Sequence, residues 1–436
     1  MFSKLCCAIV AVISTNSVPT HSLPAKLSRP DSALKAPTDV TAFGFLHVGD
    51  SGNSSLFYAY YEAQNEDAAA PVILWLQGGP GCASMFGNLY ELGPWRVNQS
   101  LDLTPNPGSW NRKFGLLFID QPIGTGFSPK GSRKIPTDEL EIATDLYEGL
   151  QAFYTKHAEL SGRPLFITGE SYAGKYVPAA GHLIVQAQAF ARGQPLSALR
   201  DFPLRARSLG PPLFSLGGLV IGNGLTDPVS QILHAADTAF YMGLIDSQQR
   251  ILAMARQLEV AQLARLGRWE EAHEKRNALL GYLQRAAGLG TLFDMRRTVD
   301  YDHTDAVGRY LNQPAVQEAL GIDSRPKFEA CSAEVDRALG PDVMRSAVDL
   351  IPEILQHLPM LFYQGQFDVQ DGPSTQRWLS LLDWPGQQEW NLAPRLLWRP
   401  RLDADAVTVP DLQAELHLAE QTDQGRVTWC LTTSLW

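Results

Sequence analysis

Hydrophobic positions along the chain fall into two textures. Short, unbroken apolar runs recur as PVILWLQ from Pro71, FGLLFID from Phe114, PLFIT from Pro164, LGGLVIGNG from Leu216 and PMLFYQGQFD from Pro359. Runs of this length without polar alternation are what strands buried on both faces require. Upstream, FGFLHVG and SSLFYAYYEA flank the turn-forming DSGN, a pattern that predicts a β-hairpin. Between the strands, Ile142, Leu146, Tyr147, Leu150, Phe153 and Tyr154 recur at helical spacing, and another helix is expected from about Gly174. Buried strands alternating with helices predict an α/β protein with a mostly parallel sheet.

The second texture runs from about residue 229 to 309, where helical periodicity is dense with charge and carries no strand signal. It predicts an all-helical insertion packed over the edge of the sheet. Before the hairpin, Leu23 to about Val40 is rich in Pro and Ser and reads as an extended lead-in.

Composition narrows the function classes. The chain has 436 residues, 45% of them hydrophobic, enough for one large domain or two smaller ones. A net charge of −10 without any basic run argues against nucleic acid and against an anionic membrane surface as partners. Lys4 followed by the apolar Leu5–Ile13 and then small polar residues has the form of a signal peptide, residues 1–22, too short to span a bilayer. An extracellular or vacuolar/lysosomal destination follows, and Asn53 and Asn98, each heading an N-x-S triplet, become candidate glycosylation sites. Cys6 and Cys7 would leave with the leader. Cys82, Cys331 and Cys430 then allow one bridge and one leftover thiol. No H-E-x-x-H, P-loop or dinucleotide fingerprint occurs, so neither a metal nor a cofactor is expected.

Candidate chemistry sits where strands end. Gly169-Glu170-Ser171-Tyr172-Ala173 has the form G-x-S-x-A, directly after one strand and before a helix. Ser171 is either a small residue in a tight turn or a nucleophile lifted out on it. Gly78-Gly79-Pro80-Gly81 also follows a buried strand; it is either a plain turn or a backbone donor for a developing oxyanion. Asp368 ends the last such strand, where a triad of order Ser, Asp, His places its acid, with Asp371 as the local rival.

Taken in order, WLQGGPGCAS, ELGPW, NPGSWN, FIDQPIGTGFS, GESYAGKYVP and GNGLTDP resemble the serine carboxypeptidase family, over roughly residues 41–385. The plant carboxypeptidase-like branch is nearer in wording than the vitellogenic-like animal branch. The resemblance implies an α/β-hydrolase fold, in which the helical insertion is a cap shaping the pocket. It implies Ser171 as nucleophile, Asp368 as the acid that orients a histidine, and the amides of Gly79 and Tyr172 as the oxyanion hole. It places Trp75, Gln77, Gly78 and Glu170 at the grip on a peptide's terminal carboxylate, with Gln77 standing where the family carries Asn. A proton shared between Glu170 and that carboxylate would give an acidic optimum. Cys82 and Cys331 are implied as a disulfide.

The resemblance fades in the tail, residues 389–436, where no GAGHxVP-type segment occurs. His417 is the sole histidine after Asp368, while His157, His182 and His234 all precede the acid. The tail therefore reads as C-terminally truncated or altered by splicing or gene modelling. Three functions stay open on sequence: a serine carboxypeptidase releasing C-terminal residues through an acyl-enzyme, a catalytically inactive secreted relative, and an acyltransferase of the same fold.

Overall fold

Odd and even strand residues go to opposite cores, which explains why the apolar runs carry no polar alternation. Along β2 (Ser55–Tyr61), Leu56, Tyr58 and Tyr60 enter one cluster, and Phe57, Ala59 and Tyr61 the other. Along β3 (Val72–Leu76), Val72, Leu74 and Leu76 face the first cluster, and Ile73 and Trp75 the second. Burial on both faces requires a layer of structure on each side of the sheet.

The computed structural model describes residues 40–49, 53–196, 201–322, 326–370, 374–394 and 427–432. The expected leader 1–22, Asp371 and His417 lie outside these residues. The remaining strands are β1 (Ala42–His47), the small ribbon of β4 (Trp95–Val97) and β5 (Leu103–Pro105), β6 (Gly115–Ile119), β7 (Pro164–Glu170), β8 (Ser215–Gly222), β9 (Met360–Gly365) and β10 (Val427–Thr432). The main sheet has eight strands in the order β1-β2-β6-β3-β7-β8-β9-β10. β1 and β2 form the expected antiparallel hairpin and β2 pairs antiparallel with β6; every other pairing in the sheet is parallel. This is the mostly parallel α/β arrangement that the pattern of runs predicts. In such sheets, functional groups gather at the carboxyl ends of the strands.

Two helices pack side by side over one face of the central strands, in the first cluster. In α1 (Glu139–Lys156), Asp138 caps the start by accepting from the amides of Leu140 and Glu141, both at 3.0 Å. α2 (Ala173–Ala191) begins directly off the end of β7 and is buried along nearly its whole length. Among the described residues, no helix is long and apolar enough to cross a membrane.

The insertion is helical as expected, and its main pieces are α3 (Ser247–Arg265) and α4 (Trp269–Ala287). A capping box between Asp246 and Gln249 starts α3. His273, Arg276 and Asn277 of α4 line a cavity together with Ser171, which follows the end of β7. Periodicity reports which face of a helix is buried, not what it is buried against. The tail contributes β10, which pairs in parallel with β9 from Val427↔Met360 to Thr432↔Gly365.

Candidate active site

Ser171 occupies the sharp corner between β7 and α2 with φ of 57°. A left-handed backbone at a non-glycine residue costs on the order of 1–3 kcal/mol, so the surroundings must hold it there. They do so through three backbone hydrogen bonds. Ser171 N donates to Gly222 O at 3.1 Å, while Ser171 O accepts from Gly174 N at 2.9 Å and from Leu225 N at 2.8 Å. The spacing of small residues in G-x-S-x-A has a direct reason here. A Cβ on Gly169 would lie 2.7 Å from the Cβ of Ala173 and 2.6 Å from Leu76 O. Strand and helix can meet only if both positions stay small.

The glycine loop after β3 presses against the same corner. A Cβ on Gly78 would stand 2.7 Å from Tyr172 N and 2.9 Å from Ser171 Cβ. Gly79 and Tyr172 consequently line one cavity with Ser171. The loop is tethered by the disulfide between Cys82 and Cys331, the pair implied by the resemblance, and by Ala83 N donating to Ala330 O at 2.8 Å.

Asp368 is 3% exposed in the turn after β9. Asn223, at the end of β8, donates to Asp368 Oδ2 at 2.6 Å and accepts from Gly365 N at 2.9 Å, and Gln370 N donates to Asp368 Oδ1 at 2.8 Å. The irregular strap after α4 fastens this turn from outside. Met295 N donates to Phe367 O at 2.9 Å, and Val369 N donates to Leu292 O at 3.0 Å. Ser171 and Asp368 line a common cavity of about 430 Å³, whose wall also holds Gln77, Glu91, Glu170 and Asn223.

At one end of that cavity lies a carboxylate pair bridged by an amide. Gln77 Nε2 donates to Glu170 Oε1 at 2.7 Å and to Glu91 Oε1 at 3.3 Å, while Gln77 Oε1 accepts from the Trp75 indole at 2.9 Å. That indole bond fixes the amide orientation, leaving the NH₂ group for the two acids. Burial pushes the Glu170 carboxyl up to about 7, with the Gln77 bond opposing it and the negative charge of Asp368 adding to it. Burial also holds Glu91 well above the ordinary carboxyl range, and the nearby Glu170 raises it further. Glu91 Oε2 is buried with no hydrogen-bond partner among the described residues. Sequence pattern does not single out Glu91 for this role; it lies inside ELGPW, and its only signal is spatial.

The other candidates fall as follows. Asn53 is exposed, whereas Asn98 is half-buried and accepts from Asp102 N at 2.9 Å. Three of the histidines before the acid are engaged away from it, His157 with Tyr58, His182 with Glu353 and His234 with the carbonyl of Ser230, whereas His273 lines a cavity with Ser171.

Comparison with known proteins agrees with this geometry. Residues 33–396 match the family model described as serine carboxypeptidase. Serine carboxypeptidase-like 50 of Arabidopsis thaliana is 41% identical over 391 residues, covering 88% of this chain and 81% of that one. The venom serine carboxypeptidase of Apis mellifera is 34% identical over 366 residues, covering 81% and 74%. Among solved structures, Kex1(delta)p, a prohormone-processing carboxypeptidase from Saccharomyces cerevisiae, superposes with a TM-score of 0.65 at 24% identity, covering 79% of this chain and 77% of that one, and shares its α/β-hydrolase fold. A match that spans the elbow, the glycine loop and the Asp368 turn in one continuous alignment leaves a single conclusion: this chain belongs to the serine carboxypeptidase family.

Proposed function

We propose that the protein is a serine-type carboxypeptidase that removes single residues from peptide C-termini, with Ser171 as nucleophile. The observation that carries this reading is the Glu91–Gln77–Glu170 bridge in the cavity that also holds Ser171. A cavity built around two carboxyls whose hold on a proton is raised by burial suits a ligand that is itself a carboxylate, because a retained proton turns repulsion into a hydrogen bond. With the terminal carboxylate there, the last peptide bond falls at Ser171.

Ser171 Oγ would attack the carbonyl carbon and pass its proton to a base, while the oxyanion accepts from the amides of Gly79 and Tyr172. Collapse breaks the C–N bond, returns the proton to the departing amine and leaves an ester on Ser171, which water then hydrolyses. Asp368, held by Asn223 and Gln370 N, would orient the imidazole that serves as base. The sequence identifies no histidine for that role: His417 follows Asp368 in the chain, but nothing around it matches the family's segment. We further infer passage through the secretory pathway, which the Cys82–Cys331 disulfide supports.

The test is a fluorophosphonate probe on the full chain, with Ser171→Ala as control. Covalent labelling at Ser171 is expected. A folded protein that takes no label, while binding peptides with free C-termini, would identify the inactive relative instead.

A further inference from the structure

The larger cavity has Ser171 in its wall and the Gln77, Glu91 and Glu170 bridge at one end. With the scissile carbonyl at Ser171 and the terminal carboxylate at the bridge, as the proposed function holds, one residue lies between them: the one to be released. Its side chain must therefore occupy what remains of the cavity. The volume of about 430 Å³ falls within the range of about 300–1,000 Å³ that small-molecule pockets span.

We propose that the released residue is aromatic, with Phe86, Tyr90 and Phe293 as the residues that select it. This rests on the carboxypeptidase reading and adds its substrate class. Phe86 and Tyr90 both line the cavity and stack on each other, with ring centroids 5.0 Å apart and planes at 26°. The Tyr90 hydroxyl donates to Asp302 O at 2.9 Å, which ties this stack to the strap after α4. The strap adds Phe293 to the same lining. Phe293 is 48% exposed and belongs to neither core, so a large apolar ring stands at the cavity facing water. A ligand ring laid against these faces takes that surface out of water and adds the offset or edge-on contacts that aromatic pairs favour.

The charges on the wall work against the other classes of side chain. Glu91, Glu170, Asp300 and Asp368 line the cavity, and among the described residues no Lys, Arg or His does. An acidic side chain would meet carboxyls without a cation to receive it. A basic one could turn only to Asp300, because the terminal carboxylate occupies Glu91 and Glu170, while Asp368 already accepts from Asn223 and Gln370 N. Asp300 is exposed, where water screens it, and its Oδ1 accepts from Tyr301 N at 2.8 Å. A small side chain would leave the rings uncovered.

The experiment measures binding of benzyloxycarbonyl-Ala-Phe, -Ala-Leu, -Ala-Ala, -Ala-Lys and -Ala-Glu to the full-length Ser171→Ala chain by calorimetry, each beside its C-terminal amide. The Phe peptide is expected to bind at least about tenfold more tightly than the Ala peptide and about threefold more tightly than the Leu peptide, with Glu weakest. Phe293→Ala, at an exposed position outside both cores, is expected to weaken Phe binding at least about threefold and to change Ala binding by less than about twofold. Phe86→Leu is expected to bring Phe and Leu within about twofold of each other. Acids that outbind their amides yet bind equally across the series, or favour Leu, Lys or Glu, overturn this inference and leave the carboxypeptidase reading standing. Acids and amides that bind alike overturn that reading, and this proposal with it.

Discussion

The carboxamide of Gln77 donates to Glu170 at 2.7 Å across a buried site, so the glutamine present here reaches the acid in spite of its extra methylene relative to asparagine. The bond favours the ionised form of Glu170, yet burial outweighs it and lifts the carboxyl from its ordinary 4.5 to about 7. The sign follows directly. Between those two values the unfolded chain releases a proton that the folded chain keeps, so this group's contribution to stability is present below about 4.5 and is lost as pH rises through 7. Thermal scans at several pH values should show the melting temperature falling over this window, and Glu170→Gln should flatten the slope. Peptide affinity should follow the same proton, weakening up to about tenfold per pH unit above 7. Affinity that is constant from pH 5 to 8 would remove proton sharing from the site.

Gly78 tests the fit between the loop and the corner. Its missing Cβ would stand within 2.7 Å of Glu170 O and Tyr172 N, both backbone atoms that cannot swing aside. Gly78→Ala should therefore cost about 1–3 kcal/mol by urea denaturation, the range for forced overpacking. It should also reduce fluorophosphonate labelling of Ser171 by displacing the Gly79 amide. An alanine variant with unchanged stability and labelling would show that the loop has room to move.

How much of this could be read from the chain follows from where each signal is local. β3, β6, β7, β8 and β9 are legible because a strand covered on both faces must be apolar at every position. Ser171 is legible because the corner needs small residues at fixed offsets, Gly169 and Ala173. Glu91 is not, since its partner Gln77 lies 14 positions away and the contact exists only after the loops close. β10 escaped for a different reason: VTWCLT is β-prone, but it sits in a tail judged by its lack of motif, and the pairing with β9 is a property of the open sheet edge. The seat of α4 over Ser171 depends on packing against the turn at Gly340–Met344, which helical periodicity does not encode.

Lys175 anchors the corner from beneath. It is 1% exposed and forms an ion pair with Asp342, whose Oδ2 also accepts from the Tyr172 hydroxyl at 2.7 Å. Glu139 is buried beside them and is held well above its ordinary range by burial and by the charge of Asp342. Removing the cation leaves Asp342 next to a second acid with the half-exposed Arg345, 3.8 Å from its Oδ1, as the remaining counter-charge. Lys175→Met should lower stability by about 3–5 kcal/mol, and Lys175→Arg should recover part of it. A loss below about 1 kcal/mol would mean that the acids adjust by taking up a proton.

Asn223 joins two strand ends through a single side chain, donating to Asp368 and accepting from Gly365. Asn223→Ala removes both bonds and leaves the Asp368 carboxylate, 3% exposed, with one fewer donor. An unsatisfied buried acceptor costs about 1–3 kcal/mol, more when charged. Asn223→Asp keeps the shape and the acceptor toward Gly365 N but sets a second carboxylate against the first, so it should be the worse of the two at pH 7. At pH 5, where the added acid can hold a proton and donate to Asp368, the gap between the variants should narrow. Chemical denaturation of both proteins at the two pH values checks this. Asp as benign as Ala at pH 7 would show that the charge on Asp368 is balanced from another direction.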